Sequence, residues 1–282
     1  MNDRGLNENE SRQSNLTQEY PKVSIITVCF NAAKTIEQTI KSVLAQSYPS
    51  IEYIVIDGGS NDGTVEILRR YSDQIAYWIS EPDQGMYDAM NKGIVASRGK
   101  YVGVLNSDDW LEIDAIKEVV LTFVQTGCDY TFGDIFLARP DGSRFGVMRA
   151  LEPGRMNGTY RYKMPFPHQS CYVRREIING IGFYGLEYRL SADHEFVVRL
   201  INSGAKGGKL CKPIASYRMG GAGGGFQTFS ESRTIAIRYG MSWFNATRYY
   251  LCSLTSVFLI RILPNRLVRA LLRLRGSRHV WY

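Results

Sequence analysis

Four apolar, β-rich runs, each closed by polar turn residues and followed by a helical pattern, constrain this chain more than any other feature. The first is Val23-Ser24-Ile25-Ile26-Thr27-Val28-Cys29, which reads as a buried parallel strand. A helix is expected over about Ala33 to Gln46, with Ile36, Ile40, Val43 and Leu44 on one face and Asn31 placed to cap it. Ile51 to Ile56 is the next strand, with a helix from about Thr64 to Tyr71. A short strand follows near Ile75 to Ile79, with a helix over about Met86 to Ser97. Tyr101 to Leu105 is the fourth strand, and a helix over about Ile113 to Thr126 follows it. Strand and helix in strict alternation imply a parallel sheet with helices on both faces. In such sheets ligands bind at the carboxyl ends of the strands. Three of those ends carry Asn31, Asp57 and Asp108-Asp109, so these groups should meet in one crevice.

Beyond residue 128 the pattern is mixed. Tyr130 to Leu137 is β-like, Pro140 to Met164 is irregular, and a helix near Ser191 to Ser203 holds Asp193. The chain has 282 residues, of which 44% are hydrophobic and 22% charged. That excludes wholesale disorder, a collagen-like repeat and a polytopic membrane protein. The five cysteines are scattered and form no CxxC pair, and three histidines lack zinc-finger spacing, so a disulfide framework or structural zinc is not expected. A reducing cytoplasm fits. Met1 to Glu19 is polar without an apolar centre, which is unlike a secretory signal and is expected to be a disordered leader over residues 1–20.

The adjacent carboxylates Asp108 and Asp109 repel each other and cost desolvation beside a buried strand. A hard divalent cation resolves that cost, because Mg²⁺ or Mn²⁺ binds through one or two carboxylates plus substrate phosphates. The alternative is that Asp109 caps the following helix. The loop Asp57-Gly58-Gly59-Ser60-Asn61-Asp62-Gly63-Thr64 reads either as a turn or as a base-recognition loop, its carboxylate accepting from a ring N–H. No GxGxxG follows the first strand, where the sequence is Cys29-Phe30-Asn31-Ala32-Ala33. No Walker lysine loop occurs anywhere, which argues against NAD-binding and P-loop chemistry.

Taken in order, these segments resemble family 2 glycosyltransferases of the GT-A fold, of the type that builds bacterial polysaccharides such as colanic acid. The resemblance rests on Val23 to Asn31, Asp57 to Thr64, Gly85-Met86-Tyr87-Asp88-Ala89-Met90-Asn91-Lys92-Gly93, Leu105-Asn106-Ser107-Asp108-Asp109, Ser191 to Phe196, and Arg199-Leu200. It covers about residues 21–225 and implies a GT-A domain there, a mostly parallel sheet flanked by helices. It implies that Asp57 contacts the nucleotide base, with Val28, Phe30 and Asn31 lining the donor pocket. Asp88 and Asn91 resemble residues near the donor's ribose or sugar. Asp108 and Asp109 resemble the metal and diphosphate site, with Asn106 where the family often has Asp. Asp193 stands in the place of the catalytic base, and Ala192 replaces the first member of the usual Glu-Asp pair. The alternative for Asp193 is a salt bridge with Arg199 or another basic neighbour. His168 and Gln169 fall beside the implied acceptor site. The stretch Gly220 to Gly225 is either a lid that orders on donor binding or a linker. No Gln-x-x-Arg-Trp motif follows Asp193, so single-sugar addition is expected rather than polymer extrusion.

The formal net charge of +7 invites a nucleic-acid reading, but its distribution argues against one. Ser232 to Tyr282 contains nine arginines and no acid, whereas the first 231 residues carry 25 basic and 27 acidic side chains. A nearly neutral body with a basic tail suits an anionic membrane surface, not a nucleic acid. Tyr249 to Ile260 is uncharged but short for a spanning helix. Arg266, Arg269 and Arg273 share one helical face and Leu267, Leu271 and Leu274 another, so residues 226–282 are expected to form a basic amphipathic tail at a bilayer interface.

The combined expectation is a hexosyl- or N-acetylhexosaminyl-transferase. It would be metal-dependent and inverting, taking one sugar from a nucleotide-diphosphate sugar, a UDP-sugar first among them, to a polyprenyl-linked saccharide at the inner face of a bacterial membrane. Two alternatives stand beside it. One is a sugar nucleotidyltransferase, whose usual Gly-rich, Arg-containing loop is absent from Cys29 to Ala33. The other is a membrane-bound interaction protein that keeps the fold.

Overall fold

The computed structural model describes residues 20–155, 157–220, 225–262 and 279–281. Its first half alternates as the sequence predicts. β1 (Val23–Cys29), α1 (Ile36–Leu44), β2 (Ile51–Asp57), α2 (Thr64–Arg70), β3 (Tyr77–Ser80), α3 (Met86–Ala96) and β4 (Tyr101–Asn106) follow one another, then β5 (Trp110–Leu111) and α4 (Ala115–Thr126). The mixed second half contains β6 (Tyr130–Phe132), β7 (Ile135–Ala138), β8 (Arg144–Met148), β9 (Tyr172–Arg174), α5 (Arg175–Ile181), α6 (Ala192–Asn202), β10 (Gly207–Lys209), β11 (Ala215–Arg218), α7 (Phe226–Arg238), α8 (Trp243–Ile262) and β12 (His279–Trp281).

The main sheet has the order β10-β6-β9-β4-β1-β2-β3. β1 lies parallel between β2 and β4, and only β9 runs antiparallel, between β4 and β6. A smaller sheet has the order β12-β8-β7-β11-β5. Alternate residues of each central strand enter opposite cores, as the pleat requires. Val23, Ile25, Tyr53, Val55 and Tyr101 pack against α1 and α4. Ile26, Val28, Ile54, Ile56, Val102 and Val104 pack against α3 and α6. Helices thus cover both faces of a mostly parallel sheet, which explains why its strands are apolar throughout. α3 lies unusually close to β1, because a Cβ at Gly93 would fall 2.3 Å from Ile26 Cγ2.

Three expectations change. α1 starts at Ile36, not Ala33, and Asn31 does not cap it: Asn31 takes a left-handed backbone (φ 51°), and its Oδ1 accepts the Asn61 N–H. The β-like stretch 130–137 divides between the two sheets, the chain turning at Gly133-Asp134, where Gly133 N–H donates to Ser170 Oγ and Asp134 accepts the Ala150 N–H. No break in packing separates the domain from the tail at 225/226, since Ile235 of α7 is buried in the core beside α6. The lid or linker at 220–225 falls largely, and the basic face at 266–273 wholly, outside the described residues, as does the leader up to residue 19.

Candidate active site

The register of the central strands brings the polar ends together. Cys29 pairs with Asp57 on one side of β1, and Val28 pairs with Asn106 on the other. Asp108 follows two residues beyond β4. Asp193 lies in the first turn of α6, where the helix dipole favours an anion. Tyr87 of α3 donates its hydroxyl to Asp193 Oδ1 at 2.9 Å. His168 Nδ1 stands 3.6 Å from Asp193 Oδ2. Burial pulls His168 below the usual imidazole value, opposed by Asp193 and then Asp108, so both carboxylates act on this ring. Its Nε2 is buried without a partner. Tyr217 lies within the field of Asp109, Asp108 and Asp193 and is pushed up chiefly by burial. His168 and Asp193 line one cavity with Val102, Val104 and Tyr184, and the charge of Asp108 also reaches His168.

Arg199 is not the partner of Asp193; the basic neighbour at that carboxylate is His168. Arg199 Nε binds both oxygens of the buried Glu195 at 2.9 Å, and its other nitrogens reach the carbonyls of Ile181, Gly182 and Phe183. Tyr239 also donates to Glu195. Glu195 thus takes the structural ion pair and leaves Asp193 to the cavity.

Asp109 does not work as half of a metal pair. It is wholly enclosed, Oδ2 accepting from Gln169 Nε2 at 2.8 Å and Oδ1 from the Arg218 N–H at 2.9 Å. Burial, and then Asp108, push its carboxyl up to about 8. A carboxyl with no solvent exposure and both oxygens engaged by donors is poorly placed to ligate a cation. It does not cap α4 either, which starts six residues later behind Asp114. Gln169 accordingly holds Asp109 rather than an acceptor.

Asp108 remains. Its side chain is half-buried, its carboxyl is raised by desolvation, and Arg218 and His168 pull it down. Asn106 Oδ1 beside it is buried and lacks a partner. An orphaned oxygen next to an ionisable carboxylate fits one hard cation. Among the described residues no three His, Cys, Asp or Glu side chains could hold a metal by themselves, so such a cation would complete its shell with phosphate and water.

Asp57 is also not where a ligand could touch it. It is fully buried, and it accepts from the N–H groups of Gly59 and Ser60 and the hydroxyls of Ser60 and Ser80, with Cys29 Sγ 3.4 Å away. It organises the loop that follows β2. Val28 is core as well. Phe30, by contrast, is 64% exposed at the end of β1. Asn31 ties that end to the same loop through its N–H to Ser60 Oγ. Asn91 exchanges two hydrogen bonds with the Tyr184 backbone, both at 2.9 Å, so its amide pins a loop instead of meeting a sugar. Asp88 reaches back to the Gln84 N–H and lies 3.7 Å from Lys92 Nζ, securing the start of α3.

Two residues escape sequence reasoning. Tyr87 lies inside a quoted segment, but nothing in its spacing points to a partner 106 positions away. Arg218 Nε donates to the Asp108 carbonyl while its other nitrogens bind Pro140 O and Gln38 Oε1. No motif marks it.

A mostly parallel sheet with helices on both faces brings acidic side chains to its carboxyl edge, where such sheets bind ligands. The family model for glycosyl transferase family 2 matches residues 24–182, and the chain belongs to that family. It is a glycosyltransferase of the GT-A fold. An uncharacterized glycosyltransferase of Mycobacterium tuberculosis is 34% identical over 205 residues, covering 69% of this chain and 71% of that one. The putative teichuronic acid biosynthesis glycosyltransferase TuaG of Bacillus subtilis is 35% identical over 131 residues, 45% of this chain and 52% of its own. In fold, the chain resembles S. aureus TarS in complex with UDP-GlcNAc, with a TM-score of 0.60, 16% identity, and coverage of 80% and 69%. It spans 43% of a longer TarS chain. It also resembles a mannosyltransferase of Pyrobaculum calidifontis in complex with GDP-Man and Mn2+, with a TM-score of 0.56 and 17% identity, covering 91% and 80%.

Proposed function

We propose that the protein transfers one sugar, with inversion, from a UDP-sugar to a lipid-linked saccharide in cell-surface polysaccharide biosynthesis. The observation that carries this reading is Asp193 Oδ2 standing 3.6 Å from His168 Nδ1, with Asp108 acting electrostatically on the same ring. In-line displacement at the anomeric carbon needs a proton acceptor facing the incoming hydroxyl. Asp193 takes that proton as the acceptor oxygen bonds to the anomeric carbon. The bond from that carbon to the diphosphate oxygen breaks, and its electron pair leaves with the nucleoside diphosphate. Tyr87 holds Asp193 by one oxygen and leaves the other toward His168. Asp108 with Asn106 would hold Mg²⁺ or Mn²⁺, which when bound offsets the charge of the leaving diphosphate. Similarity to a PGL/p-HBAD biosynthesis glycosyltransferase of Mycobacterium bovis and to TuaG, named for teichuronic acid biosynthesis, supports the polysaccharide or glycolipid setting.

Peripheral binding at the inner face of the membrane accounts for the tail. Phe244, Leu251 and Phe258 lie seven residues apart along α8 and are 70%, 53% and 65% exposed. An apolar stripe in an arginine-rich, acid-free segment suits an anionic bilayer interface. Among the described residues no helix is long and apolar enough to cross a membrane. The test is a binding screen of nucleotide sugars with Mn²⁺ present, followed by NMR of the product's anomeric configuration. Binding of a UDP-sugar and inversion at the anomeric carbon are expected. Retention of configuration, or no nucleotide-sugar binding, overturns the proposal.

A further inference from the structure

We infer that His168 and Asp193 together seat the attacking hydroxyl of the acceptor saccharide, Asp193 Oδ2 taking its proton while the Nδ1–H of His168 donates to its oxygen. This rests on the proposed transfer to a saccharide. The spacing carries it. Nδ1 stands 3.6 Å from Oδ2, beyond a direct hydrogen bond. One hydroxyl oxygen can lie about 2.8 Å from both atoms. Each side chain is partly open, 16% for His168 and 22% for Asp193. The other oxygen of Asp193 already accepts from Tyr87 at 2.9 Å, so Oδ2 is the one left for a substrate.

The ring is arranged to be a neutral donor. A bare Nδ1 would repel the carboxylate it faces, so the ring hydrogen sits on Nδ1. Nε2 is buried without a partner, and a second N–H there would go unsatisfied. Burial accordingly holds the ring below the usual imidazole value, against the pull of Asp193 and Asp108. Apolar side chains, Val102, Val104, Val173 and Phe196 among them, line the cavity that His168 and Asp193 share. The backbone beneath the ring is also fixed. His168 opens the 3-10 turn His168–Ser170. Ser170 donates its N–H and its hydroxyl to the Pro167 carbonyl at 3.1 and 2.7 Å, and the Cys171 N–H donates to the His168 carbonyl at 2.9 Å. Gln169, in the same turn, is bound to Asp109. A seat held this firmly needs little ordering when the acceptor arrives. In the transfer step the hydroxyl proton passes to Asp193 Oδ2. One oxygen lone pair bonds to the anomeric carbon, and the pair of the breaking bond leaves with the diphosphate. The second lone pair accepts from Nδ1–H throughout, so His168 gives up no proton.

The two ring nitrogens can be tested apart. Asn at 168 places an amide N–H near the position of Nδ1, Gln places one near Nε2, and Leu supplies neither. Transfer is measured with a radiolabelled UDP-sugar and lipid-linked saccharide extracted from bacterial membranes, and UDP affinity by calorimetry with Mn²⁺. His168→Leu and His168→Gln should lower kcat/KM for the acceptor about tenfold or more, with acceptor KM raised. His168→Asn should recover transfer to within about threefold of wild type. UDP affinity should stay within about twofold in all three. Wild-type transfer in His168→Leu overturns the inference, as does rescue by Gln but not by Asn. A fall in kcat with acceptor KM unchanged overturns it too, because the ring would then act on Asp193 alone. A loss of UDP affinity in step with transfer would move the ring to the donor side and overturns it as well. Each of these results leaves the proposed function standing. A wild-type protein that binds no UDP-sugar overturns that function and this inference together.

Discussion

Tyr87 donates its hydroxyl to Asp193 across 106 positions of sequence, joining the first turn of α3 to the first turn of α6. That bond fixes the carboxylate proposed to take a proton from an acceptor. Its strength is set by burial, since desolvation and Asp193 both push the phenol far above its usual value and keep it a donor.

Tyr87→Phe should therefore lower kcat about tenfold with little change in donor KM, because a positioning bond is lost while the donor pocket is intact. Steady-state kinetics check it. A change confined to KM would place Tyr87 in substrate binding instead.

Asp108 and Asp109 should separate under mutation. Asp108→Asn is expected to abolish the Mn²⁺-dependent part of UDP affinity. Asp109→Asn should leave most of it, since Gln169 can turn its amide to meet the new side chain. Titration of UDP with and without Mn²⁺ distinguishes the two. Equal losses would restore both residues to the cation.

The raised carboxyl of Asp109 gives a pH dependence of known sign. Its folded value, about 8, lies above its unfolded value, so the fold holds this proton more tightly than the open chain. The associated stability is complete below about pH 4, near the unfolded carboxylate value, and is lost as pH rises toward 8. Thermal melts of metal-free protein from pH 4 to 9 should show a decline in the wild type that is shallower in Asp109→Asn. Parallel curves would contradict the burial argument.

Glu195→Ala should destabilise the fold by about 3 kcal/mol, because it strands the largely buried Arg199 without its carboxylate. Chemical denaturation measures this. A loss under 1 kcal/mol would mean that the three backbone carbonyls satisfy Arg199 on their own.

Replacing Phe244, Leu251 and Phe258 together by Ser should reduce sedimentation with vesicles containing anionic lipid, and leave the melting temperature nearly unchanged, since all three side chains are exposed. Binding equal to wild type would show that the stripe does not face the bilayer.

The first half of the fold was legible because each strand is apolar on both faces and each helix follows at short range. The second half was not. Tyr130 to Leu137 looks continuous, yet a side-chain bond from Asp134 and the contact of Gly133 with Ser170 turn it into two sheets. The positions of Asp108 just beyond β4 and of Asp193 in the first turn of a helix could be read from strand ends and family motifs. The division of labour among carboxylates could not. Asp57, Asp109 and Asn91 are as polar in sequence as Asp108 and Asp193, but folding surrounds them with donors and partners that only the tertiary structure supplies.

The most direct measurement pairs transfer with donor binding in Asp193→Asn, using a radiolabelled UDP-sugar and lipid-linked acceptor from membranes, alongside UDP titration in Mn²⁺. Transfer should fall by about a thousandfold, with the UDP affinity within a few-fold of wild type. Turnover at the wild-type rate, or a parallel collapse of UDP binding, would contradict the assignment of the proton acceptor on which the account rests.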